Sequence, residues 1–462
     1  MSVRTDVDVA RERLEATRLV RVRTSTLALD IAIVSGVSLV LGLIRLGAPA
    51  LWFDEAYTWR QINRSLIEQF EGYQPFYYWI LKPWTSVAGT SEWAMRFPSV
   101  IGATLACALL VVLARKLFDR RIALVSGLFL ATSPFFVKWS QQARVYPLLV
   151  VASLVATLLL LRALERGSRA AWAVYGIAYA GLLVTHAVVG LLLVPAHAVL
   201  IAQRRERFLP HGLLAGVVIA AVGVPWVAQL AMRTDSATSE TAWIPFPSAE
   251  DATLALVSVS GVAGLGVLFA VAGLWTLRRA GNGSLAVWLA TWAFAPFVLA
   301  LVISIARPIF LDRYLVIATP AFAMLAGVAV MGLAGRLRAT VVVVAAVATA
   351  VALAVWYQSA EDGNWRGEDW RSAVASVVDR RGEAGAVVVV PWWTHDAAEY
   401  YGAPVSDVST ADTIWVLYWF EEGAEIPADV RRPLGFGDHV LVERQQFGRR
   451  LTAQLWKRPG SP

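Results

Sequence analysis

The sequence predicts an all-α polytopic membrane protein of about eleven transmembrane helices, followed by a small C-terminal α/β domain. Apolar residues make up 57% of the 462-residue chain, against roughly 45–50% in soluble domains, and charged residues only 16%. The apolar residues fall in runs of about 20, the length that crosses a bilayer. Residues 358–462 carry short strand patterns instead.

Each apolar run defines one predicted span, and basic residues set the orientation. Six segments, the N-terminal arm and every second loop after it, each hold two or more Lys or Arg. Basic loops stay in the cytoplasm, so we expect a multi-pass protein of the plasma (inner) membrane with a cytoplasmic N-terminus. The predicted spans are 27–46, 97–117, 122–138, 146–164, 170–186, 188–203, 211–230, 252–276, 284–305, 314–334 and 339–357.

Two regions are predicted outside the cytoplasm. The loop 47–96 belongs to the transmembrane domain, 1–357, and its pattern predicts an amphipathic helix in the interface, apolar at Ala56, Trp59, Ile62, Leu66 and Phe70. The second region, 358–462, is predicted to form an extracytoplasmic α/β domain. Its predicted elements are a helix at 365–381 and strands at 385–393, 413–420, 439–444 and 452–458.

Composition also limits the partners. Cys107 is the single cysteine, so no intrachain disulfide forms, and no cysteine–histidine cluster indicates a structural metal. The net charge of +7 is spread over short loops, which is typical of a membrane protein and not of a nucleic-acid binder. We therefore expect membrane lipids as partners and no nucleic acid.

Two adjacent carboxylates, Asp54 and Glu55, follow the first predicted span in LWFDEAYTW. In one interpretation Asp54 caps the interfacial helix and Glu55 complements its dipole. In the other they carry chemistry, because desolvation at a membrane surface shifts a carboxylate pKa toward a useful range. Neighbours on a helix point about 100° apart, so one side chain faces a substrate while the other braces the structure.

Cations recur on the same predicted face of the membrane, beside aromatic residues and prolines. Each one singly suits snorkelling to lipid headgroups. Together they suit a phosphate ligand, because converging cations bind phosphate and the positive-inside rule disfavours arginine there. The candidates are Lys82, Arg96, Lys138, Arg144, Arg307 and Arg313.

Aromatic residues and one histidine complete the candidate site. Tyr57, Tyr77, Tyr78 and Tyr146 suit stacking on a sugar, but an interfacial aromatic belt explains them equally well. His186 ends an apolar run, where histidine is more often a hydrogen-bonded structural group than a substrate contact.

An ordered set of motifs resembles the GT-C class of membrane glycosyltransferases. More narrowly, it is similar to the bacterial branch related to protein O-mannosyltransferases and the lipid A aminoarabinose transferase. The motifs run in order through the whole membrane region. They are LWFDEAYTW (51–59), QPFYYWIL (74–81), GTSEWAMRFPSVIGA (89–103), QQARVYPLL (141–149), VTHAVVG (184–190) and IFLDRYLVIATP (309–320).

The resemblance implies a transferase that moves a sugar from a polyprenyl-phosphate carrier to an acceptor hydroxyl outside the cytoplasm. Mannose and arabinose are the candidate sugars, and the acceptor is a lipid, glycan or protein. Asp54 is then the base of an inverting reaction, and Arg96, Arg144 and Arg313 stabilise the leaving phosphate. The family's first-loop motif often begins with histidine, where this chain has Gln74, a further candidate for substrate binding.

Other interpretations stay open at this point. A transporter or flippase for a lipid-linked sugar also needs many spans and cations, although not a long acidic loop or a large outer domain. A non-catalytic assembly subunit predicts that removing Asp54 has no cost. A divalent cation is possible at the adjacent carboxylates, although the sequence shows no full ligand set.

Overall fold

The structure is a computed structural model. It describes residues 24–70, 74–208, 211–233, 244–361, 368–380, 385–403, 405, 411–420 and 426–460. Helices dominate, and the one four-stranded sheet of the described residues lies in the C-terminal region, as the sequence predicts.

Six segments are long and apolar enough to cross a membrane singly among the described residues. They match six predicted spans, with ends shifted by a few residues. The largest shift is at the second span, which begins at Glu92 rather than at residue 97 because Ser91 caps the helix. These segments are Thr26–Leu43, Glu92–Leu117, Tyr146–Arg166, Gly283–Ala306, Asp312–Gly332 and Gly335–Gln358.

Two more predicted spans are bent helix pairs. Arg120–Thr132 meets Pro134–Ser140 at 58°, and Ala249–Ser260 meets Leu265–Arg279 at 68°. Pro134 lacks the N–H that would continue the helix Arg120–Thr132. Gly261, at φ 82°, turns the chain after the helix Ala249–Ser260. Counting each pair once gives up to eight candidate spans in the part of the chain that the structure describes.

Other helices occupy the three remaining predicted positions. Arg169–Thr185 and Gly212–Arg233 are single helices, whereas the predicted span 188–203 is divided into Ala187–Leu192 and Val194–Gln203. Pro195, in the first turn of the second piece, starts a new helix there. A four-residue helix, Arg205–Phe208, follows. The total of eleven spans stays a prediction.

The first long loop folds into three helices, Phe53–Asn63, Leu66–Phe70 and Pro75–Ala88. We call Phe53–Asn63 the acidic helix, since it carries Asp54 and Glu55. Ala56 and Ile62 on it are buried as predicted, but Leu66 is exposed. The single amphipathic helix of the prediction is therefore wrong beyond residue 63, where the chain turns at Arg64.

The C-terminal α/β domain has a mixed sheet in the order β1-β2-β4-β3. β1 and β2 pair in parallel, β2 and β4 antiparallel, and β4 and β3 antiparallel. The strands are β1 Ala386–Val390, β2 Thr413–Trp419, β3 Val440–Gln446 and β4 Leu451–Lys457. The helices are Trp370–Arg380, His395–Tyr400 and Ala428–Arg431. Both β1 and β2 are nearly all buried.

The acidic helix belongs to the core of this domain as well as to the membrane region. Ala56 is fully buried in the same apolar cluster as Trp370 and Trp415. The Phe53 and Trp419 rings meet edge to face at 5.3 Å. The C-terminal domain therefore fixes the position of the segment that carries the two carboxylates. The predicted division at residue 357 stays a prediction.

Candidate active site

The acidic helix begins at Phe53, and Trp52 occupies its N-cap position. Asp54 is therefore not the capping residue, and the interpretation of Asp54 as a helix cap is wrong. The Glu55 carboxylate, one turn on from Trp52, accepts the Trp52 backbone N–H at 3.4 Å. Glu55 thus serves the helix end, and Asp54 is left for another contact.

Glu55 is completely buried in an ion pair with Arg96. The Arg96 Nε donates to one carboxylate oxygen at 2.8 Å and Nη2 donates to the other at 2.7 Å. The Ala143 backbone N–H adds a third bond at 2.7 Å. A buried charge pair with this many satisfied bonds holds a fixed geometry. It joins the acidic helix, the span from Glu92 and the 141–145 turn.

Arg96 was predicted to bind the donor phosphate, and its geometry corrects that prediction. All five N–H donors of Arg96 are used, because Nη1 also donates to the Leu46 and Pro49 carbonyls and Nη2 to the Ala50 carbonyl. The side chain is 0% exposed. Arg96 therefore braces Glu55 and the backbone before the acidic helix.

Asp54 points away from this network toward two other arginines. Its Oδ2 lies 3.7 Å from an Nη2 of Arg144 and 3.7 Å from Nη2 of Arg313. Oδ2 has no hydrogen-bond partner among the described residues. The Asp54 side chain is 17% exposed, whereas both guanidinium groups are almost buried. The Asp54 carboxylate thus lies between two cations without being fully paired to either of them.

Arg144 is held in place from the acidic helix. Its Nη1 donates to the Asp54 backbone carbonyl at 2.9 Å and to the Thr58 hydroxyl at 3.2 Å. Its Nε is buried without a hydrogen-bond partner in the described part of the chain. The buried Tyr146 hydroxyl lies beside it. A donor buried without a partner suits an anionic ligand, since leaving it unsatisfied is costly.

The remaining predicted cations lie elsewhere. Lys82 donates to the Ile62 and Arg64 carbonyls and so stabilises the end of the acidic helix. Lys138 lies 3.8 Å from Asp312 and 5.0 Å from the centre of the Trp139 ring. Arg307 follows the span Gly283–Ala306, and its predicted role at the donor phosphate stays a prediction. The contacts of Lys82 and Lys138 thus lie with groups other than Asp54.

The predicted aromatic contacts divide in the same way. The Tyr77 hydroxyl is buried on Ser99, which in turn donates to the Arg144 carbonyl, so Tyr77 supports the turn and does not face a sugar. Tyr57 is half-buried on the acidic helix. Gln74 precedes the helix Pro75–Ala88, and its buried Oε1 has no hydrogen-bond partner among the described residues.

His186 takes the structural role that its position favours. It is the N-cap of Ala187–Leu192, and its Nδ1 accepts the Val189 N–H at 3.5 Å. Its ring meets Tyr314 edge to face at 4.7 Å. Tyr314 follows Arg313 in the motif IFLDRYL, so His186 contacts the chain neighbour of Arg313.

Sequence reasoning missed several supporting residues. Ser99 and Thr58 position Arg144 through hydrogen bonds, and Tyr314, next to Arg313 in the chain, packs on His186. Each lies inside one of the motifs quoted from the sequence, so the signal that could have indicated them was a polar side chain within those motifs. For a metal, no group of three or more His, Cys, Asp or Glu occurs among the residues that the structure describes.

An ion pair also joins the acidic helix to the C-terminal domain. Arg60 Nη1 lies 2.7 Å from Asp396, and the Trp59 and Tyr400 rings meet at 5.5 Å. Burial raises the pKa of Asp396, while the hydrogen bond and charge of Arg60 act in the opposite direction. The Tyr401 hydroxyl accepts the Leu51 N–H at 2.7 Å. The segment around Asp54 is thus held at both ends.

Known proteins share parts of this sequence and this architecture. A family model described as dolichyl-phosphate-mannose-protein mannosyltransferase matches residues 73–228, about a third of the chain. That range includes Tyr77, Arg96 and Arg144 but ends before Arg313. No curated protein sequence matches the chain.

Solved structures share the architecture. ArnT from Cupriavidus metallidurans bound to undecaprenyl phosphate is similar with a TM-score of 0.60 and 18% identity, over 93% of this chain and 98% of that chain. Its apo state gives 0.58 and 17%, with the same coverage. The Archaeoglobus fulgidus oligosaccharyltransferase tethered with an acceptor peptide gives 0.55 and 12%, over 91% of this chain and 69% of that one. The chain is therefore a polytopic membrane protein with the GT-C glycosyltransferase fold.

Proposed function

We propose that this protein transfers a sugar from a polyprenyl-phosphate carrier to an acceptor hydroxyl at the extracytoplasmic face of the plasma membrane. The observation that carries the proposal is the position of Asp54, partly exposed and 3.7 Å from both Arg144 and Arg313. A general base and two cations for a phosphate thus stand together. A residue that only caps a helix does not need two cations beside it.

Each group has a step in an inverting transfer. Asp54 takes the proton of the acceptor hydroxyl, whose oxygen attacks the anomeric carbon. A carbon–oxygen bond forms on one face of the sugar while the bond to the phosphate oxygen breaks on the other. The electron pair stays on the phosphate, where Arg144 and Arg313 stabilise the developing charge. One carboxylate suffices, since inversion needs no glycosyl-enzyme intermediate.

Glu55 and Arg96 are assigned to positioning. Their buried pair holds the backbone at Asp54 and the turn before Arg144 in one rigid unit. Positioning matters because a shift of about 1 Å in a reacting group can cost about a hundredfold in rate. Glu55, one of the two carboxylates that the sequence indicated for catalysis, is therefore proposed to position Asp54 and not to react.

The choice of donor draws on the structural neighbours. One is described as bound to undecaprenyl phosphate. The Archaeoglobus fulgidus oligosaccharyltransferase AglB is described in complex with an inhibitory peptide and a dolichol-phosphate, with a TM-score of 0.50 and 12% identity. These support a lipid-phosphate donor here. Mannose or arabinose as the sugar, and a lipid, glycan or protein as the acceptor, are part of the proposal.

The test is transfer by the purified full-length chain in lipid nanodiscs. A panel of polyprenyl-phosphate sugars is offered with envelope glycans, lipids and proteins, and release of the free carrier is measured with formation of the glycoside. We expect one donor to give both products in equal amounts. Movement of the intact donor across proteoliposome membranes, without glycoside formation, would instead establish the transporter interpretation.

A further inference from the structure

Aromatic residues gather at one edge of the C-terminal sheet, where β1 and β2 end. Trp392 and Trp393 follow β1, and Trp419 and Phe420 close β2. Because β1 and β2 run parallel and stay paired to the end of β1, both groups leave the sheet on the same side. We call these four residues the aromatic edge.

Three rings of the aromatic edge are exposed, although the strands that carry them are nearly all buried. Trp392 is 70% exposed, Trp393 45% and Phe420 44%. The two tryptophan rings meet edge to face at 6.1 Å, and the Phe420 ring stacks on Tyr418 at 5.2 Å. Large apolar side chains scattered singly over a surface are ordinary, whereas a group of them marks an interaction site.

The aromatic edge adjoins the segment that carries the proposed base. The Trp419 ring contacts the Phe53 ring, and Phe53 directly precedes Asp54. The tryptophan pair comes just before the helix His395–Tyr400, which is joined to the acidic helix by the ion pair between Asp396 and Arg60. A ligand of the aromatic edge would therefore lie beside the acidic helix.

The tryptophan pair lies away from the point where this domain meets the spans. The Tyr400 hydroxyl donates to the Thr90 carbonyl at 2.7 Å, and the Tyr401 hydroxyl donates to Glu92 at 3.0 Å. Both contacts are at the outer end of the span that begins at Glu92, and both come from the far end of the helix His395–Tyr400. This position favours a ligand in solution over the bilayer.

Polar groups accompany the rings. The Arg450 guanidinium lies 5.9 Å from the centre of the Trp419 ring. The Tyr418 hydroxyl and the Trp419 Nε1 are buried and have no hydrogen-bond partner in the described part of the chain. A sugar ring has an apolar face of C–H groups and a rim of hydroxyls. Aromatic rings beside hydrogen-bonding groups are complementary to both parts of such a ring.

We propose that the aromatic edge binds sugar units of a glycan acceptor, outside the unit whose hydroxyl reacts. The proposal rests on the proposed function, because it takes the acceptor to be a glycan that reaches Asp54. Stacking removes the apolar faces of the sugars from water, which stabilises the complex. The aromatic edge would thus select acceptors of several sugar units.

The experiment measures binding without any donor, so it is independent of the reaction. Mannotetraose and arabinotetraose are titrated against the full-length chain in nanodiscs, with methyl mannoside and methyl arabinoside as single-unit probes. Trp392→Ala and Trp393→Ala each remove one exposed ring, and Trp393→Phe keeps a smaller one. Trp275→Ala is the matched control, since Trp275 is 55% exposed on the helix Leu265–Arg279, outside the C-terminal domain.

We expect the wild type to bind one of the two tetrasaccharides more tightly than its methyl glycoside. Trp392→Ala and Trp393→Ala should each weaken that binding about five- to tenfold, because each removes one stacking surface. Trp393→Phe should lie between Trp393→Ala and the wild type. Trp275→Ala should bind as the wild type does.

A membrane anchor is the other role that exposed tryptophans can have. A spin label on Trp392→Cys separates the two roles, and the native Cys107 is buried. We expect the label to collide with a water-soluble nickel complex and not with oxygen dissolved in the bilayer. The opposite preference would place the ring in the membrane and overturn the proposal.

Two binding results also overturn it. One is that the wild type binds neither tetrasaccharide. The other is that the folded Trp392→Ala and Trp393→Ala proteins bind the tetrasaccharide as tightly as Trp275→Ala does. The expected pattern of binding, with no transfer to the bound tetrasaccharide from any carrier-linked sugar, would instead count against the proposed function alone.

Discussion

At the scale of single residues, two neighbouring carboxylates have separate environments. Glu55 is fully buried on Arg96, and Asp54 is partly exposed beside Arg144 and Arg313. The helical angle between neighbours predicts that the two side chains diverge. Which one turns inward depends on Arg96, which is 41 residues away and is placed by tertiary packing. The sequence therefore locates the two carboxylates but does not show which of them is buried.

Glu55→Gln should destabilise the protein strongly. The substitution leaves the Arg96 charge buried without its counter-ion, and breaking a buried pair in this way costs about 3–5 kcal/mol. Thermal unfolding in nanodiscs measures the loss. Asp54→Asn is the matched control, since the same chemical change one residue earlier removes no fully buried ion pair. Similar midpoints for Glu55→Gln and the wild type would contradict the assigned role of the pair.

At the scale of elements, the acidic helix is shared between two regions. Hydropathy predicts its start and its apolar face, and the buried Ala56 and Ile62 agree with that pattern. Hydropathy does not predict that the face packs against Trp370 and Trp415, more than 300 residues later. The breaks near Leu193 and Gly261 are missed because the runs stay apolar across them.

Ala56→Leu should reduce turnover and also weaken donor binding. Ala56 is 0% exposed where the acidic helix packs on the C-terminal domain, so added methylene groups must displace the helix at a cost of about 1–3 kcal/mol. The displacement moves Asp54 and also Arg144, which is hydrogen-bonded to Asp54 and Thr58 of that helix. Transfer rate and donor affinity are measured together. Asn63→Leu, at an exposed end of the same helix, is the control, and equal rates in the two variants would show that Ala56 packing does not position Asp54.

At the scale of the whole molecule, the ordered motifs predicted the GT-C architecture, and the structural comparison confirms it. The C-terminal sheet is also confirmed. Its strands β1 and β2 could be predicted because they are apolar runs between turn residues. The exact span count is harder to predict. Arg169–Thr185 is only 17 residues long, and another predicted span is divided into Ala187–Leu192 and Val194–Gln203; neighbouring helices decide how such segments lie.

The predicted orientation is tested by labelling with a membrane-impermeant maleimide on intact cells. Cys107 is buried and gives little background. Asp429→Cys, exposed in the C-terminal domain, should react from outside. Asn282→Cys, exposed between two spans beside basic residues, should react only after permeabilisation. The reverse pattern would show that the Asp54 site faces the cytoplasm.

The central claim is that Asp54 is the general base, separate from the groups that hold the donor. Its most direct test is the transfer rate and donor affinity of Asp54→Asn, with Arg313→Ala measured in parallel. For Asp54→Asn we predict a fall in transfer of about 10² to 10⁴-fold with donor affinity nearly unchanged. For Arg313→Ala we predict that both quantities fall, because its charge acts on the bound and the departing phosphate. Transfer by folded Asp54→Asn protein at close to the wild-type rate would contradict the claim.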